Sequence, residues 1–197
     1  MLTECGTNMA VNQRNPSRDR QPRKPRPPLN AARLDELALH YVSRFATSRA
    51  KLSTYLKRKI RERGWDGEAA DIAALVERLV RLGYVDDRAY ALAKSRSLTS
   101  RGYGAGRVRQ ALHIAGIGEE EAVEARDHAS GQAVDAALHY ARRRRIGPYA
   151  LDVMDIKQQQ RAMASMIRAG HGFAIARAIV AIEPGAEPDL SDFFDQR

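Results

Sequence analysis

The residue types that could carry out catalysis are few in this sequence and do not stand in a catalytic pattern. The five histidines form no HExxH motif, and Glu36 and His40, which share a helical face at i,i+4, have no third metal ligand beside them. Asp86-Asp87 could pair two carboxylates, but a helix N-cap explains them without catalysis. The single cysteine, Cys5, cannot form an intramolecular disulfide. We therefore predict a binding protein rather than an enzyme, with no metal and no cofactor.

A glycine-rich run from Gly102 to Gly106 comes nearest to a phosphate-binding loop. It follows a predicted helix instead of a strand, and the chain has no GxxxxGK motif. We therefore predict a flexible link between two helices at this position. Tyr103 in the run, and Tyr149 further along, stand beside basic residues and could stack on nucleic-acid bases. Packing between helical units is the favoured interpretation for both tyrosines.

Runs of arginine and lysine are the remaining candidates for binding. One run would be read as a solvated face, but three runs at corresponding regions of a repeat favour a binding role. The last run is four consecutive arginines; because these span a full helical turn, at least one is expected to lean toward the protein. Arginine suits phosphate and carboxylate alike, which leaves open a nucleic-acid partner or an acidic protein surface. The predicted binding residues are Arg49, Lys57, Arg58, Arg61, Arg101, Arg107, Arg109, Arg142, Arg143, Arg144 and Arg145.

The net charge of the chain agrees with an anionic partner. The 197 residues carry a net charge of +9, and residues 31–182 alone hold 26 basic and 17 acidic side chains. The charges of the two ends, +4 over residues 1–30 and −4 over 183–197, cancel. No stretch approaches the ~18 to 20 apolar residues of a membrane span. The composition predicts a soluble, cytoplasmic protein, and the lack of a coiled-coil pattern favours a monomer.

The two ends of the chain differ from its middle in composition. Residues 1–30 are basic, contain five prolines and have few large apolar side chains, so we predict a disordered arm. Residues 183–197 are acidic and include Phe193 and Phe194; we predict a flexible tail after a last helix stopped by Pro184.

The middle of the chain predicts helices only. No proline occurs between Pro28 and Pro148, and apolar residues recur at spacings of three and four. Three glycines, Gly64, Gly116 and Gly170, each end a basic helix, where a left-handed residue is expected. Shorter helices follow these glycines, at about 67–82, 119–129 and 172–182, and others precede the basic helices, at about 31–46, 87–101 and 132–145. The prediction is an all-α chain of three tandem three-helix repeats, 31–86, 87–130 and 131–182, stacked into an elongated, curved array.

Several of these segments together resemble one protein family. They are Ser48-Arg49-Ala50-Lys51-Leu52, Gly64-Trp65, the run from Leu82 to Ala91 (LGYVDDRAYA), the run from Gly106 to Leu112 (GRVRQAL), Gly116-Ile117, and the run from Tyr140 to Pro148 (YARRRRIGP). In this order they resemble the RecX family of bacterial recombination regulators, over about residues 35–182. The third unit departs from the family pattern, because His171-Gly172 follows Gly170 where an aromatic is usual.

The resemblance implies a non-enzymatic protein of tandem three-helix repeats that binds the RecA filament on DNA. It further implies that such a protein modulates filament assembly and suppresses the ATPase and strand exchange of RecA. Under this hypothesis the basic faces contact an acidic RecA surface and, secondarily, DNA phosphates. The alternative hypothesis is a general DNA-binding protein that acts by occupying DNA.

Overall fold

A computed structural model of the chain describes residues 27–189. Within that range the chain is all-α, with nine α-helices, one 3-10 turn at Gly147–Tyr149 and a single isolated β-bridge. The all-helical prediction is confirmed. The helices are α1 Ala31–Val42, α2 Arg49–Arg63, α3 Ile72–Arg81, α4 Asp87–Thr99, α5 Ala105–Ile114, α6 Val123–Gly131, α7 Ala133–Arg144, α8 Ile156–Arg168 and α9 Phe173–Ala181.

Polar side chains fix where five of the helices begin. At each start, the side-chain oxygen accepts a hydrogen bond from the backbone N–H three residues later, which satisfies one of the unpaired donors of the first turn. Asp86, predicted as an N-cap, accepts from Ala89 N at 2.9 Å. Asp155 forms a full capping box with Gln158. The residues that cap in this way are Asn30, Ser48, Asp71, Asp86 and Asp155.

Glycines end the helices at the predicted positions. Gly64, Gly116 and Gly170 all have positive φ, at 81°, 67° and 92°. After α5, Ile117 N donates back to Leu112 O at 3.1 Å, and after α8, His171 N donates to Met166 O at 3.1 Å. These hydrogen bonds use carbonyls of the last helical turn that have no partner within the helix. They also direct the chain back over that turn.

The helices form three groups of three, each with its own apolar core. The first core includes Leu52 and Leu56 of α2, the second Val108 and Leu112 of α5, and the third Met166 of α8. These middle-helix residues are nearly or fully buried, as the repeated spacing predicts. The arrangement is consistent with three tandem repeats; their exact boundaries and the elongated, curved shape stay predictions.

The structure differs from the predicted element limits in three ways. Leu29, predicted to lie in the disordered arm, is fully buried: its N–H donates to Gly64 O, and Asp66 N donates to its carbonyl. The first unit therefore starts before residue 31, while residues 1–26 of the arm lie outside the described residues. Both α3 and α6 begin later than predicted, because residues 67–71 form a bend and irregular backbone and residues 119–122 form a turn. The first helix, predicted to reach about residue 46, ends at Val42.

The joint between the first and second units is held by polar side chains. The buried Ser48 hydroxyl donates to the carbonyl of Ala115 at 2.5 Å. Asp87, nearly buried at the start of α4, accepts from Arg49 N at 2.9 Å. Burial raises the pKa of the Asp87 carboxyl, and the hydrogen bond and charge of Arg49 oppose that rise. A Cβ on Gly116 would overlap Ala50, so the glycine permits the two units to approach closely.

The joint between the second and third units is formed by the main chain. Gly104 N donates to Ala169 O at 3.0 Å, and Gly106 N donates to Gly170 O at 2.9 Å. The prediction of a flexible link at Gly102–Gly106 is therefore wrong. Its glycines are needed because the backbone of the third unit comes so close that side chains would not fit.

A buried histidine completes the second joint. His171 is 5% exposed, and its Nε2 lies 3.1 Å from the carbonyl oxygen of Gly102, so this nitrogen carries the proton. No described residue hydrogen-bonds its Nδ1. Burial lowers the pKa of His171, because the charged form would lose its hydration, and the bond to Gly102 only partly opposes this.

We expect His171 to make the stability of the chain depend on pH below neutrality. Its folded pKa lies below the unfolded value, so stability is fully present above about pH 6.5 and is lost as the pH falls from there toward the folded pKa. The slope from this one proton cannot exceed about 1.4 kcal/mol per pH unit. Urea unfolding at several values between pH 5 and pH 7.5 measures it, and H171Q should flatten the profile.

The same substitution at the exposed His139 is the matched control. H139Q should leave the profile unchanged. An identical slope in H171Q and the unmodified chain would show that His171 does not cause the pH dependence.

Candidate functional site

Four of the predicted arginines gather on three tyrosine rings beside the second joint. The guanidinium of Arg143 lies 5.9 Å from the ring centre of Tyr103 and 5.7 Å from that of Tyr140. Arg101, from the end of α4, approaches Tyr103 from its own unit at 5.8 Å. The arginine–tyrosine cluster comprises Arg101, Arg142, Arg143 and Arg144 with Tyr103, Tyr140 and Tyr149. Such contacts hold a guanidinium in place without neutralising its charge.

None of the four consecutive arginines of α7 is buried. Arg142, Arg143, Arg144 and Arg145 are all exposed. Three of them nevertheless contact tyrosine rings, which agrees with the expectation that at least one leans toward the protein. The guanidinium groups of the first three lie over tyrosine faces. Arg145, the residue after α7, has a left-handed backbone with φ 55°, and its N–H donates to the last carbonyls of the helix.

Of the two tyrosines for which the sequence favours packing between units, Tyr103 packs in that way and Tyr149 packs within the third unit. Tyr103 is partly buried and contacts the cores of both the second and third units. Tyr140 is 5% exposed, and its hydroxyl lies 2.8 Å from Ser165 Oγ. Tyr149 packs against the third core. These rings therefore serve as a platform for arginines and are not free for base stacking.

Two more predicted arginines lie on α5, close to the same joint. Arg107 is exposed and bonds Gln110 at 2.7 Å, and its backbone is so near Gly170 that a Cβ there would overlap it. Arg109 is exposed and lines a cavity of about 420 Å³ together with Gly170 and His171. The structure thus brings Arg107 and Arg109 to the second joint, which also carries the arginine–tyrosine cluster.

The basic residues of α2 form a separate surface that is partly neutralised. Glu62 pairs with Arg58 at 3.0 Å and with Lys59 at 2.6 Å. The hydrogen bond from Lys59 is the main reason why the pKa of Glu62 is lowered. Lys57 and Arg61 are exposed, and neither pairs with a carboxylate of the described residues. Such exposed pairs contribute little to stability, so α2 keeps a positive face.

Arg49 differs from the other predicted binding residues because it has partners inside the protein. Its guanidinium lies 3.2 Å from Glu77 Oε1 and 3.9 Å from Asp87 Oδ2. Its backbone N–H is also the donor to Asp87. This arrangement gives Arg49 a structural role at the first joint.

The second joint is a stronger candidate site than the basic surface of α2, because its arginines are not neutralised. No arginine of the cluster pairs with a carboxylate among residues 27–189, and neither do Arg107, Arg109 and Arg145. Unpaired guanidinium groups held on rings are prepared to bind carboxylates or phosphates, because less side-chain freedom is lost on binding. The second joint is thus the site that best fits an anionic partner.

Sequence reasoning did not identify the residues that hold these surfaces in place. Ser48, Asp87 and His171 are buried polar residues that each bond a neighbouring unit. Ser48 and Asp87 stood out only as members of the SRAKL and LGYVDDRAYA segments, which resemble the RecX family. No local pattern marked His171, since a lone histidine gives no periodic signal.

Comparison with known proteins identifies the family of the chain. It is 32% identical over 178 residues to the regulatory protein RecX of Myxococcus xanthus, an alignment that covers 85% of this chain and 94% of that protein. The chain belongs to the RecX family. A second RecX, from Agrobacterium fabrum, is 31% identical over 160 residues, covering 79% of this chain and 86% of that protein. These relatives are named as regulatory proteins. A scan against protein-family models gave no match.

Solved RecX structures share the fold of this chain. The crystal structure of RecX from Lactobacillus salivarius superposes with a TM-score of 0.55 at 19% identity, and covers 76% of this chain and 93% of that one. A further RecX crystal structure also gives a TM-score of 0.55, at 22% identity, over 75% of this chain and 70% of the other. The all-helical architecture is therefore that of the RecX family. Among residues 27–189, no helix is long and apolar enough to cross a membrane.

Several of the segments that resemble RecX meet at the two joints. Ser48 and Asp87 lie far apart in the sequence and join α2 to the second unit. Gly106 bonds Gly170 across the second joint, and Tyr140 lies beside His171 with ring centres 5.4 Å apart. The RecX-like sequence order therefore reflects how the units are connected, in addition to any surface that binds a partner.

Proposed function

We propose that this chain binds the RecA recombinase filament on DNA and mainly inhibits its assembly, ATPase and strand exchange. Membership of the RecX family supports a regulatory role. The observation that supports a filament partner is the arginine–tyrosine cluster, where four arginines from two adjoining units have no carboxylate partner within the described part of the chain. An acidic protein surface or a DNA backbone provides the anions that such groups bind.

The position of the cluster favours a polymer over a small ligand. Arg101 follows α4 in the second unit, and Arg142, Arg143 and Arg144 come from α7 in the third. A surface that crosses the joint between units can contact more than one subunit of a filament. Arg107 and Arg109 on α5 extend the positive charge within the second unit. The basic face of α2, with Lys57, Arg58 and Arg61, provides a further contact in the first unit. In this arrangement the protein works as a monomer in the cytoplasm.

The decisive experiment measures RecA-promoted ATP hydrolysis on single-stranded DNA with increasing amounts of the full chain. We expect inhibition at or below equal ratios of the chain to RecA. An unchanged rate at equal ratios would overturn the proposal. Titration of the same DNA without RecA separates the DNA-binding alternative, since phosphate contacts make bare-DNA affinity fall steeply with salt. If inhibition and bare-DNA binding disappear together at the same salt concentration, occupation of DNA is the better account.

A further inference from the structure

The third unit carries an apolar groove with a basic wall that is separate from the arginine–tyrosine cluster. The groove lies between α8 and α9 and has a volume of about 450 Å³. Ile156 at one end is 76% exposed, and Phe173 at the other is 62% exposed. Met163 and Val180 form its floor against the third core. A concave surface that exposes large apolar side chains suits contact with other apolar groups, because covering these side chains removes them from water.

The charges around the groove are positive. Arg177 lines the groove, and Lys157 and Arg161 stand one helical position away from the lining residues Ile156 and Gln160. None of these three basic residues forms an ion pair within residues 27–189. The nearby carboxylate of Asp155 is already used as the N-cap of α8. An occupant of this groove should therefore combine large apolar side chains with acidic ones.

The chain itself contains a segment of that composition. Residues 190–197, outside the described residues, read LSDFFDQR, so Asp192 and Asp195 flank Phe193 and Phe194. Two adjacent phenylalanines match the apolar floor, and two carboxylates match Arg177 and its basic neighbours. The segment and the groove are thus complementary in both hydrophobicity and charge.

The segment is also attached close enough to the groove to reach it. Val180 and Ala181, at the end of α9, line the groove where the chain leaves that helix. Gly185 N then donates to Pro148 O at 2.9 Å, which holds the chain beside α9. The eight residues from 190 can extend about 26 Å, whereas the nine residues of α9 rise only about 13 Å. A segment attached so close to its site has an effective concentration in the millimolar range.

We propose that residues 190–197 bind in the α8–α9 groove of the same molecule, with Phe193 and Phe194 against its apolar floor and Asp192 and Asp195 against its basic wall. The bound segment covers the apolar face of the third unit. This inference is independent of the proposed function, and its test involves neither RecA nor DNA.

Disulfide trapping in the full chain tests the proposal. In a C5S background, Q159C places a thiol on the groove wall and Q196C places one on the segment, next to the residues proposed to bind. The control pair is R168C with Q196C, because Arg168 is exposed on the same helix, nine residues after Gln159, and therefore on the opposite face of the helix. We expect the groove pair to form an intramolecular disulfide at least about tenfold faster than the control pair. Equal rates would overturn the proposal, and disulfide-linked dimers specific to the groove pair would assign the groove to a second copy.

Charge reversal tests the basic wall in the same experiment. D192K with D195K should slow trapping of the groove pair, and adding R177E should restore part of the rate. A rate unaffected by the acidic substitutions, or not restored by R177E, would contradict the charge complementarity that the proposal requires. All of these positions are exposed or lie outside the described residues, so loss of the fold is not the expected cause of any change.

Discussion

Replacing Gly104 with alanine is expected to lower the free energy of unfolding by about 3 kcal/mol, the upper range for overpacked sites. Gly104 caps α5, and its N–H donates to Ala169 O across the second joint. An added Cβ would overlap the carbonyl of Gly170 and lie 2.6 Å from the backbone nitrogen of His171. Because these are backbone atoms, no side-chain rotation can relieve the contact, and the two units must separate.

Urea unfolding of G104A and G131A measures this effect against a matched control. Gly131 closes α6, has ordinary backbone angles, and would meet nothing within 4 Å of an added Cβ. Alanine there should be neutral or stabilise the chain by up to about 1 kcal/mol. Equal stability of the two variants would show that the backbones are not in close contact at the second joint.

Much of the helical architecture could be predicted because its signals are local. Glycines at Gly64, Gly116 and Gly170 mark helix ends, since only glycine adopts their positive φ without strain. Asp86 caps α4 as its position before an apolar run indicates. The start of α6 was predicted about four residues too early. Glu119 to Glu121 suit a helix N-terminus, but they lie in a turn that precedes Val123.

The joints could not be predicted because their contacts link distant parts of the chain. Ser48 and Ala115 are 67 residues apart, and His171 and Gly102 are 69 apart. The glycines from Gly102 to Gly106 look like a loose link in sequence, since composition does not reveal which backbone will pack against them. Only the folded structure shows that the third unit occupies the space that side chains would otherwise fill.

Only the local part of the candidate site could be predicted from the sequence. The arginines of α7 were identified from sequence because four consecutive cations are a local signal. Their placement on Tyr103 and Tyr140 depends on how two units meet, which no spacing encodes. Arg49 shows the converse: its charge placed it among the binding candidates, but Glu77 and Asp87 lie beside it once the chain folds.

Reversing the charge of Arg142, Arg143 and Arg144 together is expected to weaken inhibition of the RecA ATPase about tenfold or more. Each of these guanidinium groups is exposed and held on a tyrosine ring without a carboxylate partner among the described residues. Glutamate would put like charges against an acidic partner, and even about 1.4 kcal/mol of lost affinity corresponds to a tenfold change. The concentration of the chain that halves ATP hydrolysis on single-stranded DNA measures the effect.

A second triple variant separates this surface from net charge alone. R81E, R96E and R168E change the net charge by the same amount at three exposed sites, one in each unit and outside the cluster. We expect that control to shift the half-inhibitory concentration far less, because scattered exposed charges are screened by salt. An equal loss in both variants would mean that overall charge drives binding, and an unchanged inhibition curve for the first would exclude the cluster as the contact. Lysine at the same three α7 positions keeps the charge but removes the planar fork, so partial inhibition by that variant would show how much depends on bidentate contacts with carboxylates or phosphates.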